Sequence, residues 1–314
     1  MIYPLSNDSP TPKVYSASVS GLGAEDPTTV TFTKDAGFPT SFPEWTDAAN
    51  NVFVKIPTMY RTIDDIADGQ ITAFTISTAP ISEDSQPYSV FVKPNGDVMP
   101  YVCIGKYMST SNTKLNSVAH DDVLLATGDI STMRTAAAAN GNGYLQSDWQ
   151  FNRLLGDLIL VISQKVNFQD GAAGISPYLG IDDFANAQGW WLDGVTIENG
   201  TYAICYDPAY YVDSATPNTS HYHALSYSGG TAGDIKKLGY DLNNPFCNLC
   251  AESVTNTSYN TYYCDQYTVT TTNRPIYTRI GYGTAAAGIW MQLIAAFNTV
   301  KTSRLCYRPL SLTI

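Results

Sequence analysis

The stretch SDWQFNRLLGDLILVISQ, residues 147–164, sets Phe151, Leu154, Leu155, Leu158, Ile159 and Ile162 at three- and four-residue spacings. That period marks a helix with one apolar face, here about three turns long. Ser147 stands where an N-cap is needed. Just upstream, STMRTAAAA (131–139) joins a Ser cap candidate to an alanine run, alanine being the best helix former, and Asn140-Gly141 supplies the stop. Two helices are predicted, both packed on a sheet.

Strand signals lie on both sides of this pair. Upstream, residues 52–60 (VFVKIPTMY), 71–77 (ITAFTIS), 88–93 and 101–107 (YVCIGKY) are rich in β-branched and aromatic residues. Pro94-Asn95-Gly96-Asp97 is a turn signal, because Pro presets the first turn dihedral and Asn-Gly accepts positive φ, so a hairpin is predicted there. Residues 13–20 and 28–34 alternate as short strands, and a composition shift at 45–51 suggests a soft boundary. Residues 1–50 thus read as a small β attachment segment, or as the base of the main domain, and residues 51–314 as the main domain. Downstream of 170, helical periodicity vanishes and short β segments follow one another at 189–197, 201–206, 222–228, 259–271, 276–282, 288–296 and 303–310. No internal repeat is evident. Strands, then two helices, then many loop-connected strands fit an α+β domain.

Composition narrows the function. Charged residues are 14% of the chain, against roughly 25% in ordinary soluble domains, so the surface is polar but mostly uncharged. A net charge of -11 argues against nucleic acid as the main ligand, since affinity for phosphate backbones comes from Lys and Arg. No apolar run reaches the roughly 18–20 residues of a membrane span, and MIYPLSNDSP lacks the pattern of a signal peptide. Six cysteines are too sparse for a disulfide scaffold, and mostly free thiols are expected. Cys247-Asn-Leu-Cys250, with Cys264 and the upstream His221 and His223, has partial zinc-ligand spacing but lacks a clear fourth partner, so no metal is expected.

Several motifs in fixed order carry a resemblance. VFVKIPTMYRT (52–62), YVCIGKYMSTS (101–111), TMRTAAAANGNGYLQSDWQFNRLLGDLILVISQ (132–164), GWWLDGV (189–195) and RLCYRP (304–309) together resemble phage and prophage tail proteins with a C-type-lectin-like fold. That fold is shared with formylglycine-generating-enzyme-like domains and with variable proteins of diversity-generating retroelements. The resemblance covers most of residues 51–314, and DPTTVTFTKDAGFPTSFPEW (26–45) is similar to segments that precede such domains in tail proteins. It implies a C-type-lectin-like domain with two helices and many short strands, a structural role for the turn at Asp193-Gly194, and a terminal strand returning to the sheet. It also implies a receptor-binding protein of the virion tail or fibre tip. Such a protein would be made in the host cytoplasm without a signal peptide, would assemble as a homotrimer with other tail proteins, and would not insert into membranes. The partner would be a bacterial surface glycan or protein.

For ligand contact, the resemblance points to residues 287–304, just before the terminal strand, with Trp290, Gln292, Asn298 and Lys301 as outward side chains. This stretch is poor in the Asn, Tyr and Ser expected of an actively diversified region. A second candidate surface is Tyr259, Tyr262, Tyr263, Tyr267, Tyr277 and Tyr282, because 14 of the 22 tyrosines fall between Tyr202 and Tyr307. Tyrosine offers a large contact area with few torsions to freeze, though the same rings can also pack between loops.

Enzymatic readings are weaker. His120, His221 and His223 are the only histidines. Asp64-Asp65 and Asp182-Asp183 are adjacent pairs whose side chains point apart, as solvated loop acids do. His221-Tyr222-His223 would place both imidazoles on one strand face, an incomplete metal site. The relatives that generate formylglycine use paired cysteines, but Cys264 and Cys306 fall in no matching motif. No Glu-Pro-Asn calcium motif occurs. Expectation therefore settles on binding without catalysis and without a cofactor. The alternatives are a structural virion component of the baseplate or capsid and, third, a formylglycine-generating-type oxidase.

Overall fold

A computed structural model describes residues 13–120, 125–166, 179–182, 190–198, 200–212, 220–228, 232–247, 251–255, 261–263, 266–269, 274–278, 292–294 and 303–309. The chain is a mixed α+β protein with two α-helices and three sheets among these residues.

Helix α1 (Ile130–Ala138) buries Ile130, Met133, Ala136 and Ala137. Its cap is Asp129, whose carboxylate accepts from the Thr132 N–H at 2.7 Å, rather than the expected Ser131. Beyond its end Asn140 donates through Nδ2 to the carbonyls of Leu115 (2.8 Å) and Ala137 (3.2 Å). Helix α2 (Trp149–Ser163) starts one residue later than expected, capped by Asp148, which accepts from the N–H groups of Gln150 and Phe151. Ser147 does not cap because its backbone is already committed to the terminal strand, its N–H donating to the Arg304 carbonyl at 3.0 Å. Nor does α2 have a single apolar face, since nearly every residue from Trp149 to Val161 is buried. Its polar residues are matched inside: Asp157 pairs with Arg153 and Arg61 and accepts from the Tyr88 hydroxyl.

The first sheet runs β2 (Thr31–Lys34), β1 (Ser16–Ser20), β6 (Gln70–Ser77), β5 (Tyr60–Ala67), β7 (Gln86–Pro87). The second runs β3 (Glu44–Thr46), β4 (Val52–Pro57), β8 (Tyr101–Gly105), β18 (Leu305–Tyr307), β9 (Tyr144–Gln146). These sheets correct the expected boundary near residue 50. β1 pairs along its length with β6, and β3 pairs with β4, so strands from both sides share sheets. One core joins Val19 and Phe38 to Ile56, Leu158 and Trp191. Residues 13–50 are therefore the base of the main domain and not a separate attachment module.

The third sheet has eight strands in the order β12 (His223–Ser228), β11 (Thr201–Ile204), β10 (Trp190–Glu198), β16 (Arg274–Thr278), β17 (Gln292–Ile294), β15 (Gln266–Val269), β13 (Gly233–Leu238), β14 (Ala251–Thr255). Only β15 and β17 are parallel neighbours. Two local expectations change. Residues 88–93 form a 3-10 turn (Ser89–Phe91), which reduces the hairpin to a single bridge between Val92 and Val98 around the Lys93–Asp97 turn. The Asp193-Gly194 turn is an irregularity inside a continuous β10, where the register slips between Trp191 and Thr196.

Three capping carboxylates bear on acid stability. Hydrogen bonds from Thr132 hold Asp129 below the ordinary value of 3.8. For Asp47 and Asp241 burial alone would raise the pKa, and bonds from Asn51 and Ser226 respectively more than offset it. A carboxyl depressed in the folded state contributes stability above its unfolded pKa and loses it as pH falls through the folded pKa. Asparagine caps as well as aspartate but does not titrate. Thermal unfolding of wild type and Asp129→Asn followed from pH 7 to 2 should therefore show the wild type losing more stability below about pH 5. Parallel curves would remove Asp129 from the account.

Candidate functional site

The best-formed site among the described residues is built on the sequence Tyr206-Asp207-Pro208-Ala209-Tyr210-Tyr211, directly after β11. Asp207 caps a 3-10 turn (Pro208–Tyr210) by accepting from the Ala209 N–H at 2.9 Å, and Pro208 supplies the fixed φ of its first position. The turn is anchored from below by the first residues of α2. The Trp149 indole N–H donates to the Cys205 carbonyl (2.8 Å), Gln150 Nε2 donates to the Tyr206 carbonyl (2.9 Å), and the Tyr211 hydroxyl donates to Asp148 (2.8 Å). Arg308, from the terminal strand, pairs with the same Asp148 carboxylate.

Gly194 completes the support. Its φ of +75° lies in the left-handed region, and a Cβ there would stand 2.6 Å from the Tyr211 ring. Only glycine lets β10 pass this close. Next to it Asp193 binds both nitrogens of Arg134 at 2.8 Å and accepts from Gln146 at 2.7 Å, tying β10 to α1 and β9.

Above this platform lies an open cleft of about 460 Å³. His221 stacks on Tyr210 with ring centroids 3.4 Å apart and planes 6° apart. His223 tilts against Tyr206 at 6.2 Å, and Tyr206 in turn meets Trp149 edge-on at 5.1 Å. Gln86, Ser89, Lys93 and Phe246 also line it. The cleft thus pairs flat ring faces with a few hydrogen-bonding tips, the usual make-up of a small-ligand site. A second cleft of about 570 Å³, lined by Gly141, Asn142, Tyr144, Leu145 and Ala209, shares Pro94 and Asp207 with the first.

Searched against protein-family models and against curated proteins, the chain matches none.

The two imidazoles do meet on one side, as expected of His221-Tyr222-His223, while Tyr222 turns inward. Among the described residues no three His, Cys, Asp or Glu side chains group as a metal site. Burial pushes the Cys205 thiol up to about 11, so it stays protonated at neutral pH, and Cys306, fully buried, is pushed higher still by the same cause. His120 packs against Tyr107 at 6.3 Å.

The expected tyrosine surface fares differently. Tyr263 is 1% exposed and its hydroxyl donates to Gln70 at 2.8 Å, so it is a core anchor and not a contact residue. Packing brings its phenol to Gln70 of β6, far away in sequence. Tyr262 is half-buried at φ +55°, its ring 5.7 Å from the Lys236 ammonium. Tyr267, Tyr277 and Gln292 lie on β15, β16 and β17, where the register pairs Tyr267 with Gln292 and Tyr277 with Leu293. Tyr259, Tyr282, Trp290, Asn298 and Lys301 lie outside the described residues, as do Cys250 and Cys264. Of the expected contact residues whose side chains are described, Tyr262 and Tyr263, neither lines the cleft. Sequence reasoning passed over Tyr206, Asp207 and Tyr210, although two tyrosines flanking an Asp-Pro turn were a usable signal.

Both supports can be tested. Gly194→Ala should cost roughly 1–3 kcal/mol in chemical denaturation, from its left-handed φ and its collision with Tyr211. Asp148→Ala should cost more, on the order of 3–5 kcal/mol, because it strands the buried Arg308 and removes the cap of α2.

Proposed function

We propose that this chain is a non-enzymatic receptor-binding protein of a phage or prophage tail, in which a C-type-lectin-like domain recognises a glycan or protein on the host surface. The observation that carries the reading is the cleft beside Asp207, where aromatic faces and polar tips stand on anchored backbone. Its ring pairs offer contact area, and the described residues around it form no ligand set for a metal. Of the two thiols weighed for an oxidase of the formylglycine-generating type, Cys306 is buried and held protonated, which makes it a poor nucleophile, and Cys264 lies outside the described residues.

Support for the lectin-like reading comes from where the ordered motifs end up. Residues 52–57, 101–105 and 305–307 are neighbouring strands of one sheet, with β9 beside them. The terminal strand lies between β8 and β9, matching Cys306 with Ile104 on one side and Leu145 on the other. Trp190 and Trp191 are both buried, and the Trp191 indole donates to the Gly128 carbonyl at 2.9 Å. Assembly as a homotrimer on other tail proteins belongs to the same proposal, as does placement in the virion.

Adsorption of the purified full chain to cells of the host strain tests this reading. Wild type should bind, and Tyr210→Ala/His221→Ala should lower the cell-bound fraction at least about tenfold, as loss of an aromatic anchor does. Undiminished adsorption by a variant that melts like wild type would dismiss the cleft. A wild type that never adsorbs, with antibody labelling on the tail shaft or head, would favour a structural virion component.

A further inference from the structure

Resting on the recognition reading above, we infer that the two joined clefts form a site for an uncharged oligosaccharide. One pyranose ring lies against the Tyr210–His221 stack, and the next crosses the Pro208–Ala209 turn into the second cleft.

A pyranose has an apolar face of C–H groups and a rim of hydroxyls. It needs a flat ring beneath it and donors and acceptors at the edge. Tyr210 is 44% exposed and lies parallel to His221, so the pair behaves as one rigid plate with an open side. A stacked plate loses little torsional freedom on binding, which lowers the cost of ordering. At its edge the Asp207 carboxylate is already oriented, with Oδ1 held by the Ala209 N–H, while Oδ2 accepts no hydrogen bond among the described residues. Such a carboxylate can accept from neighbouring sugar hydroxyls. Lys93 and Gln86 line the same cleft and can donate.

Charge points to a neutral ligand. The charged residues lining the two clefts are Asp207, Lys93 and Arg308, and Arg308 is paired with the buried Asp148, so the fixed charges balance. The chain as a whole carries a net charge of -11, which opposes uronates, sialates and phosphates at long range.

Length follows from the second cleft. The volumes of about 460 and 570 Å³ each fall within the range of about 300–1,000 Å³ that encloses a small ligand, and the two share Pro94 and Asp207. A single sugar ring would leave one cleft empty. Tyr144 and Leu145 give the second cleft an apolar wall, and Asn142 gives it an amide.

The test uses the full chain with glucose, galactose and mannose, their linear oligomers of up to four rings, and sialylated and uronate-bearing counterparts, read by saturation-transfer NMR and calorimetry. Affinity for a neutral series should rise about tenfold from one ring to two or more, each added contact being worth about one tenfold step. Tyr210→Ala should weaken single rings and oligomers alike by about tenfold, whereas Tyr210→Phe, which keeps the plate, should retain most of the affinity. Ala138→Trp, at an exposed position that lines the second cleft and not the first, should remove the gain with length and leave single-ring binding intact. The inference is overturned if a wild type that adsorbs to cells binds none of the neutral sugars, prefers the acidic ones, or is indifferent to Tyr210→Ala. In those cases recognition stands without this ligand. A wild type that neither adsorbs nor binds any sugar would instead undo the recognition reading itself.

Discussion

The carboxylate of Asp148 is the point at which the rest of the structure is joined. It is fully buried, and a buried charge is tolerated only where it is paired and its lone pairs are filled. Its partners come from three places far apart in sequence: the N–H groups of Gln150 and Phe151 at the start of α2, the Tyr211 hydroxyl from the cleft segment, and Arg308 from the terminal strand. Any arrangement that failed to bring these together would leave a charge stranded in an apolar interior. The pairing therefore decides which segments meet.

The same device recurs. Asp193 draws Arg134, Gln146 and the Gly194 N–H to one carboxylate, and Asp157 does so with Arg61, Arg153 and Tyr88. Arg304 works from the opposite sign, donating to the carbonyls of Gly105, Lys106 and Asp182. A chain with few charged residues thus places several of them inside. There they tie short, irregular strands to the helices, because strands of three or four residues have too little ladder to hold their own register.

This interior explains why the cleft can be open and still well defined. Its rings stand on a turn held by Trp149, Gln150 and Asp148, so the exposed side chains inherit the rigidity of a buried helix end. Binding surfaces gain most when the groups that touch a ligand are positioned before it arrives.

Much of this was legible in order and kind. The three- and four-residue spacing of Phe151, Leu154, Leu155 and Leu158 announced α2, alternation announced β1 and β2, and runs of β-branched and aromatic residues announced β4, β6 and β8, because these signals are properties of the local chain. The caps were misread by two residues at α1 and by one at α2, since Ser and Asp are both good caps, and at α2 the Ser147 N–H is bonded to the Arg304 carbonyl. Tyr263 read as a contact residue because its neighbours are polar, and only packing brought it to Gln70, 193 positions away in sequence. His221 and His223 could be seen to share a side, but not that Tyr206 and Tyr210 would lie against them. The sequence by itself determined the classes of element, their order and the scarcity of charge, all of which follow from composition and near neighbours. Only the tertiary structure decided that residues 13–50 share sheets and core with the main domain and that residues 86–94, 205–210 and 220–223 line one cleft. Those outcomes depend on which buried charges and ring faces find each other across long stretches of chain, and no local pattern encodes that choice.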